Sequence, residues 1–192
     1  MHTLIFATNN RNKVAEIQSL VGPNFTIIPL KEAGIDIDIP EPHDQLEANA
    51  LEKAMTIFKM TNQACFSEDT GLEIAALDGA PGVKSARYAG ENSNPQANID
   101  LVLSKMTGVE NRTAQFRTVI CLIWENQTYY FEGICKGQIL NNMQGENGFG
   151  YDPIFVPDGA SKSFANMTME EKNQFSHRKK AVAQLFEFLD KV

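Results

Sequence analysis

The chain has 192 residues, 43% hydrophobic and 21% charged, the composition of a soluble globular protein able to bury a substantial core as one domain, 1–192. A net charge of −7 argues against a broad basic face for nucleic acid, and the longest apolar runs, "LIFA" at 4–7 and "VICLIW" at 119–124, are too short to cross a membrane. The opening residues lack a basic segment followed by a long apolar stretch, so no signal peptide is expected. Three cysteines without framework spacing (Cys65, Cys121 and Cys135) point to free thiols and a cytoplasmic location.

"TLIFA" at 3–7 reads as a buried strand, followed by a helix over 11–21 with Val14, Ile17, Leu20 and Val21 on one face and Gly22-Pro23 as its stop. "FTIIPL" is a second strand. "GIDIDIP" alternates Ile35, Ile37 and Ile39 with Asp36 and Asp38, the pattern of a half-buried strand. A long helix is expected over 45–62, with Asp44 and Glu47 as a capping box. Strands at 64–67 and 72–77 are followed by a Gly/Pro-rich loop and a helix from Pro95 to Met106 capped by Asn94. Asn126-Gln127 is expected to turn a hairpin within 112–136, placing Cys121 opposite Glu132. Two helices, near 169–175 and 177–190, close the chain. Interleaved strands and helices with one antiparallel hairpin define a mixed-sheet α/β fold.

Three places carry chemistry. In "SEDTGLE" at 67–73, two adjacent carboxylates, Glu68 and Asp69, precede a Thr-Gly pair. Either they lie on a solvated turn, where Asp, Thr and Gly are ordinary, or a cation sits beside them, since neighbouring like charges repel and each resists losing water unpaired. Second, two helix starts carry the wrong charge: a first turn prefers acids, yet one opens with Arg11 and Lys13 and the last with His177, Arg178, Lys179 and Lys180. The helix between them behaves normally, with Thr168 as cap and Glu170 and Glu171 behind it. A bound polyanion such as phosphate accounts for both anomalies. A carboxylate pair near phosphate then calls for a divalent metal, and magnesium suits one or two protein carboxylates, with Glu41 in "PEPHD" a third acid. Third, "GENGFGYDP" at 145–153 flanks Phe149 with glycines, leaving backbone close to a ligand and a ring to stack on a base.

"ATNNRNK", "SEDTGLEI…GAPGVKSARYAG", "GENGFGYDPIFVP" and "EEKNQFSHR" occur in that order, and with them the whole chain resembles the inosine triphosphate pyrophosphatase family. The resemblance implies an elongated two-lobed α/β fold around a central mixed β-sheet flanked by helices, working as a homodimer. It also implies magnesium-dependent hydrolysis of ITP, dITP and XTP to the monophosphate and pyrophosphate. Thr8, Asn9, Asn10, Arg11, Asn12 and Lys13 would cradle the phosphates, with Lys53 a further phosphate contact. Glu41 and Asp69 would hold magnesium, with Glu68 a possible further ligand, and Asp69 would accept the proton of the attacking water. Thr70 would touch substrate; Phe149, Gly150, Tyr151, Asp152, Lys172, His177 and Arg178 would enclose the nucleotide and read its base.

The chain departs from the family at Asn9 (usually Gly), Glu68 (commonly Asp) and Asn166 (usually acidic). Two alternatives remain: a related pyrophosphatase preferring pyrimidine or modified nucleotides, and a nucleotide sensor without turnover.

Overall fold

The computed structural model describes residues 2–192. In chain order the elements are β1 (His2–Phe6), α1 (Arg11–Gln18), β2 (Phe25–Pro29), α2 (Leu46–Thr61), β3 (Cys65–Ile74), β4 (Pro81–Gly82), α3 (Pro95–Lys105), β5 (Thr113–Trp124), β6 (Gln127–Ile139), β7 (Phe155–Pro157), α4 (Met169–Phe175) and α5 (His177–Leu189). The described strands form one sheet in the order β2-β1-β3-β5-β6-β7, with β4 beside β3. Strand β1 runs parallel to both β2 and β3, while β3–β4 and β6–β7 are antiparallel, so the sheet is mixed, as expected.

The chain divides into two compact units. The first holds residues up to Asp69, Thr118–Gly133 and Arg178–Val192. Its strands alternate side chains between two buried layers, as the pleat requires. Leu4, Phe6 and Phe66 pack with Ile17 of α1 and with Ala181, Val182 and Leu185 of α5. Ile5, Ala7 and Cys65 face the other way, onto Ala50, Ala54 and Ile57 of α2. The second unit, Thr70–Arg117 with Ile134–His177, surrounds one cluster that includes Leu72, Ile74, Val102, Phe116, Phe155 and Phe164.

Several expectations need correction. Helix α1 ends at Gln18, and Leu20 and Val21 join the core from the turn that follows. "GIDIDIP" pairs with no strand among the described residues; Ile35 is buried and Ile37 and Ile39 half-buried against the α2 layer in the expected alternation, and the Ile37 carbonyl accepts from Asn9 Nδ2 at 2.8 Å. Alternation there encodes an extended half-buried segment without a ladder. Gln45 flanks the start of α2 without a side-chain cap, so the Asp44–Glu47 box does not form.

The hairpin turns one residue earlier than expected, at Glu125 and Asn126, whose φ values of 49° and 61° suit a tight two-residue turn. Cys121 accordingly meets Tyr130 rather than Glu132. Cys65, Cys121 and Cys135 form no disulfide, and all three are buried.

The largest correction falls at 64–77, where one continuous strand replaces two. Thr70-Gly71 does not turn. A Cβ on Gly71 would lie 2.7 Å from the Gly82 carbonyl oxygen, so glycine serves there to let β3 and β4 approach.

Candidate active site

Glu68 and Asp69 are both buried, 2% and 6% exposed, which removes the solvated-turn reading. Adjacent residues of a strand point to opposite faces, so the two carboxylates do not share one environment. Each has its own cations.

Asp69 faces α2. Lys53 Nζ lies 3.2 Å from Asp69 Oδ1 and also contacts Glu41 Oε1, so one ammonium joins the two expected metal ligands. Asn49, four residues before Lys53 on the same helix face, donates to Asp69 Oδ2 at 3.3 Å. Its carboxamide also closes on the His43 backbone, accepting from the N–H at 3.0 Å and donating to the carbonyl at 3.1 Å. That clamp positions the segment carrying Glu41 beside β3. Burial raises the Asp69 pKa above the ordinary aspartate range, with Lys53 and Lys13 opposing it and Glu41 adding to it. For Lys53 burial works to lower the pKa, but Asp69 and Glu41 outweigh it and the pKa rises.

Glu68 faces α1 and α5. Arg178 Nε and Nη2 reach its two oxygens at 2.7 and 2.9 Å, Lys13 Nζ reaches Oε1 at 3.1 Å, and Arg178 Nη1 contacts Glu16 Oε2. Burial would raise the Glu68 pKa, yet Arg178 and Lys13 hold it far below the carboxylate range. Two of the basic residues that looked misplaced at helix starts thus have protein carboxylates beside them. The loop before α1 remains open: Asn9, Asn10, Arg11 and Asn12 are exposed. Asn10 Oδ1 caps the helix by accepting from the N–H groups of Asn12 and Lys13 at 3.0 and 3.2 Å, and Thr8 Oγ1 accepts from the Asn10 N–H at 3.2 Å. Thr70 is half-buried and follows Asp69 directly on β3.

In the second unit Lys172 Nζ lies 2.7 Å from Asp152 Oδ2 and about equally over the rings of Phe149 and Phe164, at 5.1 and 5.2 Å. Asp152 Oδ2 also accepts from the Phe149 N–H at 2.9 Å. A Cβ on Gly148 would collide with this carboxylate, and its φ of +76° suits glycine. Gly150 follows Phe149 at a φ of +60°. Tyr151 is buried and donates to the Ser85 carbonyl at 2.8 Å, and the His177 ring stacks on Phe116 at 4.7 Å. Both face the unit's interior.

Glu16 and Asn49 were not anticipated. Asn49 and Lys53 lie on the buried stripe of α2 that includes Leu46, Ala50, Ala54 and Ile57; polar residues on an apolar stripe are a readable signal. Glu16 gives no such signal, because its partner is 162 residues away.

Among the described residues no three metal-ligating side chains converge. The donor set still fits magnesium, which needs only one or two protein carboxylates when phosphate and water complete its shell, and the Lys53 ammonium shows that Glu41 and Asp69 can share a cation.

The fold and these clusters define a mixed α/β protein with a buried carboxylate–lysine centre and an exposed polar loop before α1. The chain belongs to the Ham1 family, whose sequence pattern matches residues 4–188, in agreement with the resemblance carried by its four motifs. A dITP/XTP pyrophosphatase of Porphyromonas gingivalis is 50% identical over 190 residues, covering 98% of each chain. Another, from Flavobacterium johnsoniae, is 48% identical over 186 residues, covering 97% of each. A solved HAM1 protein from Coxiella burnetii, 35% identical, matches 100% of both chains with a TM-score of 0.90.

Proposed function

We propose that this protein hydrolyses non-standard purine nucleoside triphosphates (ITP, dITP and XTP) to the monophosphate and pyrophosphate, with magnesium. The observation that carries the reading is the Asp69 carboxylate: buried, raised in pKa by that burial, and joined through Lys53 to Glu41. The dITP/XTP pyrophosphatase relatives support the substrate class. No helix of the described residues is long and apolar enough to cross a membrane. We take the enzyme to be a cytoplasmic homodimer.

Bound by Glu41 and Asp69, magnesium supplies Lewis acidity toward phosphate oxygens and water. Asp69 takes a proton from the attacking water as its oxygen bonds to phosphorus and the α–β anhydride breaks, releasing pyrophosphate. Burial raises the Asp69 pKa above the ordinary aspartate range, the direction that suits a proton acceptor. The side chains of Thr8 to Lys13 present donors to the phosphates at a helix start. Lys53 adds positive charge and Thr70 a further contact.

The roles proposed for the base are these. Phe149 stacks and Asp152 and Lys172 read the ring edge, with Gly150 and Tyr151 shaping the loop, His177 stacking on Phe116 and Arg178 fixing Glu68. Hypoxanthine and xanthine carry an oxygen at purine position 6, which accepts from lysine, whereas the amino group of adenine would face a donor with a donor.

The test is Asp69→Asn. It keeps the shape and removes the base, so turnover of ITP should fall by about 10²–10⁴-fold while nucleotide binding persists. Near-normal turnover by the folded variant would remove Asp69 from this role.

A further inference from the structure

We infer that the Lys53 ammonium is a built-in placeholder for the divalent ion, so that metal enters the Glu41–Asp69 pair only together with the triphosphate. The inference rests on the magnesium reading above and adds an order of binding to it.

Three observations carry it. Lys53 Nζ contacts Glu41 Oε1 and lies 3.2 Å from Asp69 Oδ1, so it stands between the two carboxylates a divalent ion would use. The three side chains are 8%, 24% and 9% exposed, so water does little to screen the charges. Asn49 takes the other Asp69 oxygen and clamps His43, so the carboxylates are held in place whichever cation lies between them. Two carboxylates and one ammonium leave a single negative charge. A divalent ion added without displacing Lys53 would turn that into a positive charge in a poorly hydrated place, and displacing Lys53 would strip a buried ammonium of its partners. Phosphate oxygens remove both penalties, because they accept the displaced ammonium while they ligate the ion. Metal and triphosphate therefore raise each other's affinity by the same factor.

The probe is Mn²⁺, followed by electron paramagnetic resonance on nucleotide-free protein, for the wild type, Lys53→Met and Glu41→Gln. Lys53→Met should bind Mn²⁺ at least about tenfold more tightly than wild type, and Glu41→Gln more weakly. Should the methionine variant fail to fold, Lys53→Gln takes its place with the same expected direction. A non-hydrolysable triphosphate should then tighten Mn²⁺ binding strongly in wild type and much less in the Lys53 variant. Unchanged Mn²⁺ affinity on losing Lys53, with Glu41→Gln still weakened, would overturn the placeholder and leave the metal site standing. Indifference of Mn²⁺ to both substitutions would overturn the metal site itself.

Discussion

Arg178 is 1% exposed and holds two buried carboxylates, Glu68 by a fork and Glu16 by its remaining terminal nitrogen. Deleting one partner of such a network leaves charge buried without compensation, which typically costs about 3–5 kcal/mol. Arg178→Ala should therefore lower the melting temperature by about 6 °C or more in a chain of this size. Any change in base preference must be read against that loss. A melting point close to wild type would show that the fork contributes little to the fold. Lys13 follows the same logic more weakly, since its side chain is 16% exposed and Arg178 still serves Glu68 without it.

The two buried thiols facing α2 behave in the opposite sense. Burial pushes both Cys65 and Cys121 up to about 12, Cys121 being raised further by Cys65 and opposed by Tyr130. Folding thus favours the protonated thiol. Their contribution is complete below the unfolded value near 9 and is lost as pH climbs toward 12, because the unfolded chain releases protons that the folded chain retains. Unfolding free energies from urea titrations in reducing buffer should fall from pH 9 to 11, by up to about 1.4 kcal/mol per pH unit for each thiol. Cys65→Ala and Cys121→Ala should flatten the fall. A wild-type slope that neither change alters would refute the assignment.

At the scale of elements, the 145–153 loop shows how backbone shape sets a side-chain pair. Gly148→Ala would drive a methyl group into the Asp152 carboxylate at a positive φ, disturbing both the Phe149 N–H and the Lys172 contact. The expected result is a raised KM for ITP with a smaller change in kcat, alongside a stability loss of about 1 kcal/mol or more. An unchanged KM would separate this loop from substrate.

The helices were legible in the sequence because caps and periodicity are local: Asn94 caps α3 and Thr168 closes a reciprocal box with Glu171 at α4. Strand β3 was not. Thr70-Gly71 has turn chemistry, and only the approach of Gly82, eleven residues later, explains the glycine. The "IDIDI" alternation was correct about burial but silent about pairing, which depends on what other strands leave open. For the site, residue types were legible and partners were not. Basic residues at two helix starts suggested phosphate, yet Lys13 and Arg178 also meet Glu68, and Arg178 meets Glu16, from distant parts of the chain.

At the scale of the whole molecule, a chain with net charge −7 sets Lys13, Lys53 and Arg178 beside buried or half-buried carboxylates rather than in a broad basic face. The alternating faces of β3 separate two tasks. One face holds Glu68 in a buried ionic network; the other carries Asp69, whose pKa burial raises and which is the base of the proposed reaction. If that division is right, the enzyme makes one cut. The direct measurement is product identification during ITP hydrolysis with magnesium, by separating nucleotides and assaying pyrophosphate and orthophosphate through the time course. IMP and pyrophosphate should rise together from the first time point in equal amounts, with no IDP. Orthophosphate release with accumulating IDP would contradict the account.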